Sequence, residues 1–402
     1  MTSLIRQLLG AWLLAISLLS ACASTPAQQS SSLATVDAPP GSVVVVIDDP
    51  RGERKLRGSS GPGYQARLAY DEDPALGRRV TRLAKKHQLE VLEQWPIRNL
   101  LAHCFVVASP SAAQVDALRL DPAVRWVQPF NEFTTKIGAR DAEIGKNQLG
   151  VQSFAKFAEE VMGHGAGVRI AVIDTSIDQT HPDLSQSRVT TANFAGRRGN
   201  PDQEDHGTAV VGLISAQPSN PKGISGLARD ASVSLLRGCW QPSGGGGKCN
   251  TLTLALALDA AVDLDPHIIN LSLTGSYDRV LQELVQQLLA QGTLVIAAYD
   301  EKRAPVDRFP APQAGVVYAF GTSAVANGSS DVQHHDSKNA QLVVHAPLKA
   351  LSLVPNASYG VVSGHSIAAP QVAAMAARLI AREPDAPRST IQAQLEDWLS
   401  IK

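Results

Sequence analysis

Three segments of this chain hold the side chains that nucleophilic catalysis at a carbonyl requires. Asp174 follows the apolar run Val-Arg-Ile-Ala-Val-Ile over 168–173. His206 stands in Asp-His-Gly-Thr ahead of Ala-Val-Val-Gly-Leu-Ile, and Ser366 stands in Ser-Gly-His-Ser-Ile-Ala-Ala-Pro ahead of a second apolar stretch. A serine hydroxyl is a poor nucleophile until a neutral imidazole takes its proton. A carboxylate behind that imidazole holds the productive tautomer and stabilises the cation that forms. These residue types therefore predict acyl transfer through Ser366, with His206 as general base and Asp174 as its orienting partner. No Gly-x-Ser-x-Gly elbow surrounds Ser366, which disfavours an esterase or lipase.

The elements around these residues alternate strand and helix. Near-continuous apolar runs over 168–173, 233–236, 268–273, 294–298 and 316–320 read as strands buried on both faces. Between them, 279–291 places Val280, Leu281, Leu284, Val285, Leu288 and Leu289 on one helical face. Such a pattern predicts a doubly wound, mostly parallel α/β sheet, which builds its sites at the carboxyl ends of its strands, where Asp174 falls. Pro370 suits the first turn of a helix that starts near Ser366.

Ahead of this region the rhythm differs. A strand over 64–70, a helix with Leu76, Val80 and Leu83 on one face, strands over 90–95 and 103–108, a helix from Ser111 and a strand over 124–127 predict a split β-α-β-β-α-β domain, ferredoxin-like α+β. Farther upstream, Arg6 and the apolar run 8–19 read as an export signal too short to span a bilayer as a helix. The run ends in Leu-Ser-Ala-Cys, which resembles the bacterial lipobox and implies cleavage before Cys22, lipidation of Cys22 and a cell-envelope location. An ordinary signal peptide cut after Ala-Cys-Ala is the alternative. The expected layout is a signal peptide over 1–21, a tether and N-terminal extension over 22–62, the small domain over 63–135 and the α/β domain over 136–402.

An exported chain meets an oxidising compartment, so Cys239 and Cys249, which flank a run of glycines, are expected to close a small disulfide loop. Cys104, in an apolar run, reads as a buried free thiol. Lys plus Arg number 36 against 37 Asp plus Glu, so no basic excess exists to drive nucleic-acid binding. Gly-His-Gly-Ala-Gly at 163–167 precedes a strand and is an entry loop rather than a nucleotide cradle. His334-His335-Asp336 lies in a polar stretch and is not assigned a metal.

The three motifs, in the order Asp, His, Ser at intervals of 32 and 160 residues, resemble those of the subtilisin-like serine peptidases over about 148–397. Ser176 stands where that family usually has Gly, and His181-Pro-Asp-Leu resembles a structural part of its aspartate motif. The resemblance implies an endopeptidase acting on peptide or protein substrates through Asp174, His206 and Ser366. It also implies that the small domain is a prodomain and a partner in its own right, whose tail lies in the cleft and is cut loosely between Phe133 and Arg140. Ser272, Leu273, Thr274 and Gly275 resemble the family's substrate-binding strand, and Ser234-Leu-Leu-Arg237, containing Leu236, with the following Gly-rich loop resembles its opposing strand. The family's oxyanion Asn and the Thr before its catalytic Ser correspond here to Asp300 and His365. His365 is then expected to donate to the oxyanion while Asp300 holds its imidazole, or else Asp300 is protonated when substrate binds. A pseudopeptidase that binds peptides or a partner is the competing reading. No cofactor is implied; calcium stabilises some relatives, but no EF-type spacing is present and none is assigned.

Overall fold

The computed structural model describes residues 36–49, 74–136, 163–219, 223–243, 245–322 and 342–399. The N-terminal domain contains β1 (Val43–Asp48), α1 (Pro74–His87), β2 (Val91–Ile97), β3 (Ala102–Val107), α2 (Ala112–Arg119) and β4 (Trp126–Pro129). Its antiparallel sheet has the order β2-β3-β1-β4. Val45, Ile47, Phe105 and Val107 on one face pack with Leu76, Val80 and Leu83 of α1 and Leu118 of α2. Helix α2 starts where a capping box satisfies its first donors: Gln114 N–H donates to Ser111 Oγ, and Ser111 N–H donates to Gln114 Oε1.

The sheet corrects the expected domain boundary. Its first strand is Val43–Asp48, inside the stretch assigned to tether and extension, and the strand expected over 64–70 lies outside the described residues. Val44, Val45, Val46 and Ile47 are fully buried because β1 is central, with β3 on one side and β4 on the other. Its Val-Val-Val-Val-Ile run is itself strand-like, but both partners are far along the chain, so the local pattern does not say which sheet it joins. Cys104 lies buried on β3, and that burial pushes its thiol well above the ordinary range.

Beyond β5 (Glu132–Thr135) the α/β domain runs β6 (Arg169–Asp174), β7 (Val189–Asn193), α3 (Asp205–Ser215), β8 (Ser232–Arg237), β9 (Cys239–Trp240), β10 (Gly247–Asn250), α4 (Thr251–Leu264), β11 (Ile268–Leu271), β12 (Thr274–Ser276) and α5 (Arg279–Ala290). It continues with β13 (Leu294–Ala298), β14 (Arg308–Phe309), β15 (Val316–Thr322), β16 (Leu342–Pro347), β17 (Lys349–Val354), β18 (Ser358–Ser363), α6 (His365–Arg382) and α7 (Arg388–Leu399). Seven of these strands form a parallel sheet in the order β16-β15-β13-β11-β6-β8-β7, the doubly wound arrangement expected. Helices α3, α6 and α7 cover one face, sharing a core with Ile170, Val172, Leu235, Ile296 and Val317. Helices α4 and α5 pack together on the other. The strand order reverses between β6 and β11, and such a switch opens a crevice at the carboxyl ends.

Two buried carboxylates of the α/β domain receive the N-terminal domain. Asp259 on α4 accepts the backbone N–H groups of Asn99 at 2.9 Å and Arg98 at 3.3 Å. Asp278 caps α5 and accepts Gln128 Nε2 at 2.7 Å and Asn131 Nδ2 at 3.0 Å. Burial raises the pKa of both carboxyls.

Candidate active site

Each member of the predicted triad is placed by the end of one element. Asp174 is the last residue of β6 and fully buried, His206 lies in the first turn of α3, and Ser366 lies in the first turn of α6. Asp174 Oδ1 accepts from His206 Nδ1 and from the Thr175 N–H, both at 2.7 Å. His206 Nε2 lies 3.0 Å from Ser366 Oγ. With the Nδ1 proton directed at Asp174, Nε2 is left as the acceptor for the serine proton, which is the tautomer that nucleophilic activation needs. Helix α6 begins at His365, so Pro370 falls in its second turn rather than its first.

The chain itself occupies the cleft. Strand β5 leaves the N-terminal domain and enters a five-stranded sheet of order β14-β12-β5-β10-β9, antiparallel to β12 on one side and β10 on the other. Thr134 is level with Thr274 and Phe133 with Gly275. Phe133 is buried with its ring edge-on to Phe309 at 5.6 Å. This register brings the carbonyl oxygen of Lys136 to 2.7 Å from Ser366 Oγ. Gly364, at φ +137°, makes room for that approach: a Cβ there would sit 3.1 Å from the Lys136 oxygen.

Thr274 and Gly275 therefore form one edge of the cleft, as expected. Ser272 and Leu273 are buried behind that edge, with Ser272 Oγ taking a hydrogen bond from Asn270 Nδ2. Of the expected opposing strand, the Gly-rich part runs into the cleft edge and Leu236 does not belong to it. Leu236 lies in β8 between β6 and β7, buried inside the parallel sheet, and the opposing edge is Gly247–Asn250 of β10. The neighbouring Arg237 is held by Glu204 at 2.5 Å, and Glu204 Oε2 also accepts the Ser176 N–H at 2.6 Å. Cys239 and Cys249 form the expected disulfide, which ties β9 to β10 and so braces that edge.

The expected pairing of Asp300 with His365 is not formed. Asp300 Oδ2 accepts from Arg303 Nη1, three residues on, and Oδ1 from the Lys302 N–H at 3.1 Å. His365 turns onto β15: Nδ1 accepts the Gly321 N–H at 2.9 Å, Nε2 lies 3.4 Å from Glu301 Oε1, and the ring packs on Phe320 at 4.6 Å. Both ring nitrogens are thus committed away from a developing oxyanion. Near Ser366 the backbone N–H groups of the first turn of α6 sit at the positive end of its dipole; that of Ile367 donates to the Gly364 carbonyl at 3.0 Å.

His181 accepts the Asp183 N–H and reaches the Ser358 carbonyl, tying the stretch after Asp174 to the hairpin that precedes Ser366. Among the described residues no group of three or more His, Cys, Asp or Glu side chains gathers in a way that could hold a metal ion. Cys22 and His334-His335-Asp336 lie outside the described residues.

Comparisons with known proteins agree with this geometry. Residues 165–398 match the Subtilase family. The chain is 29% identical to an alkaline protease of Alkalihalobacillus alcalophilus over 325 residues, 79% of this chain and 81% of that protein. It is 28% identical to thermitase of Thermoactinomyces vulgaris over 264 residues, 64% of this chain and 90% of that protein. The crystal structure of fervidolysin from Fervidobacterium pennivorans superposes with a TM-score of 0.64 at 19% identity, covering 89% of this chain and 57% of that one. The sheet order, the joined Asp, His and Ser side chains and these matches lead to one conclusion: the chain belongs to the subtilase family of serine endopeptidases.

Proposed function

We propose that this enzyme cleaves peptide bonds through an acyl-enzyme on Ser366 and that its first substrate is its own chain, between Lys136 and Ile137. The observation that carries this reading is the position of Ser366 Oγ, 3.0 Å from His206 Nε2 and 2.7 Å from the Lys136 carbonyl oxygen. His206 takes the hydroxyl proton as Oγ attacks the Lys136 carbonyl carbon, and Asp174 stabilises the imidazolium. His206 then protonates the Ile137 nitrogen as that amine leaves, and a water activated by the same imidazole hydrolyses the ester. The oxyanion is met by first-turn N–H groups of α6, while Arg303 neutralises the carboxylate that Asp300 brings to the same region. The N-terminal domain acts as prodomain, delivering β5 as a bound strand and holding it after the cut.

Labelling with a fluorophosphonate probe tests this, together with N-terminal sequencing of the purified chain. Label on Ser366 and a new terminus at Ile137, both absent from Ser366→Ala, are the expected results. A folded sample that takes no label and stays uncut overturns the reading. It would favour the binding protein to which the Asp300 carboxylate and the averted His365 also point.

We further propose that Cys22 carries a lipid anchor holding the precursor to the cell envelope, on the strength of Leu-Ser-Ala-Cys after the apolar run. Cutting after Lys136 then leaves the catalytic domain attached only through its contacts with the prodomain. Incorporation of labelled palmitate, lost in Cys22→Ser, is the expected outcome; incorporation that persists in Cys22→Ser refutes the anchor.

A further inference from the structure

Among the described residues Arg308 is a buried cation without a counter-ion. It is 3% exposed, and Nη2 donates to the Arg303 carbonyl at 2.6 Å. Nε and Nη1 have no hydrogen-bond partner among the described residues. The guanidinium lies over the rings of Tyr299 at 4.7 Å and Tyr318 at 5.7 Å, which supply quadrupole attraction but no acceptor. The carboxylate best placed in sequence, Asp300, is already taken by Arg303 and the Lys302 N–H, and Asp307 is exposed. Burying a charged group with unused N–H donors costs free energy that a packed fold normally avoids, so the arrangement calls for an anionic acceptor supplied from outside.

The position of Arg308 says which acceptor. Tyr299 follows the last residue of β13, beside β11 in the central sheet, and its ring meets Phe320 at 5.7 Å. Phe320 packs on His365, the residue before Ser366. Continuing the pairing of Thr134 with Thr274 brings residue 136 level with Ser272, just past the carboxyl end of β11. The Lys136 side chain lies along Gly246, where a Cβ would sit 3.8 Å from its Cγ; a side chain at that position turned instead toward the ends of β11 and β13 would approach the Tyr299 and Arg308 stack. Lys136 is exposed and keeps to the Gly246 side, as a cation does beside a buried cation.

We propose that Arg308 is the specificity-determining residue for the position before the cut, and that preferred substrates carry Asp or Glu there, whose carboxylate takes the unused Nε and Nη1 donors. This rests on the peptidase reading above. Lys136 is then a poor match at its own cleavage site, which slows the self-cut.

The test uses the full chain with Lys136→Glu or its neutral isostere Lys136→Gln, each with Arg308 intact, Arg308→Gln or Arg308→Met. With Arg308, the Glu chain should cut itself roughly tenfold or more faster than the Gln chain, as a charge-assisted hydrogen bond allows. That ratio should fall to about one in both Arg308 variants. The same chains carrying Ser366→Ala should show a higher melting temperature for Glu than for Gln, a difference lost with Arg308. A Glu advantage that is missing, or that survives replacement of Arg308, overturns the proposal. Chains that never cut themselves yet show the Arg308-dependent melting difference retain the subsite and refute the peptidase reading instead.

Discussion

The Phe133 ring fills the space that a side chain on Gly275 would need: a Cβ at Gly275 would lie 1.9 Å from Phe133 Cδ1. The tail is seated by this contact as well as by the backbone pairing on either side of β5, because the ring is closed in by Phe309 from β14.

Gly275→Ala should therefore expel Phe133 while leaving the triad in place. Self-cleavage after Lys136 is expected to slow roughly tenfold or more, the scale of a mismatched apolar pocket. Labelling of Ser366 by a small fluorophosphonate should be unaffected. Equal cleavage rates for the two proteins would show that the register is held by the backbone alone.

Asp300→Asn should raise turnover. It removes a negative charge from the region where negative charge develops and supplies an amide N–H, a change worth up to roughly 10²-fold if the side chain reaches the oxyanion. Arg303→Ala should do the opposite by leaving the Asp300 carboxylate uncompensated. Both are read from kcat on a peptide ester, and a fall in kcat for Asp300→Asn counts against the proposed repulsion.

Docking of the N-terminal domain should weaken as pH rises. Burial raises the Asp259 and Asp278 carboxyls above their ordinary values, even though Asn99, Arg98, Gln128 and Asn131 donate to them. Raised values in the docked state mean that docking binds protons. The contribution is thus full below the ordinary carboxylate pKa of about 4 and is lost as pH climbs through the raised values. Arg98 beside Asp259 opposes this shift and Asp263 adds to it. Size-exclusion chromatography of the cut complex between pH 4 and 8 should show more free domain at the higher pH, with a flatter profile in Asp278→Asn. A pH-independent profile in the unmodified protein contradicts the linkage.

Reducing the Cys239 to Cys249 bridge should lower stability and loosen the β10 edge together. The two cysteines are 10 residues apart, and closing a loop of that length is worth about 3 kcal/mol in the chain-entropy picture. A Cys239→Ser, Cys249→Ser double variant should melt earlier and show a raised KM with kcat changed less. An unchanged KM would mean that β10 keeps its line without the bridge.

The triad was legible because each member is signalled by its own neighbours, a buried strand ending in Asp174 and apolar helices beginning at His206 and Ser366. The parallel sheet was legible for the same reason, since strands covered on both faces are apolar throughout. What escaped was set by pairing across the chain. Val43–Asp48 becomes a central strand only through β3 and β4, and Gly247–Asn250 becomes a cleft edge only once β5 lies beside it. The Asp300 and His365 relationship failed because the loop after β13 turns Arg303 back onto Asp300, while His365 packs on Phe320; loop geometry of this kind leaves no periodic trace in sequence. The Gly-rich loop expected at the opposing edge does lead into β10, whereas Leu236, just before it in sequence, lies inside the parallel sheet.

Strand β5 is the middle member of its sheet, so losing it does not shorten the sheet but divides it. Departure of the tail leaves a slot one strand wide, with unpaired amides and carbonyls on both walls, and any extended polypeptide can occupy it, including other molecules of the same enzyme. On the proposed self-cleavage, a detached tail competes for this slot until freed enzyme degrades it. Onset of activity in a population should accordingly show a lag followed by acceleration, with the lag shortening as protein concentration increases.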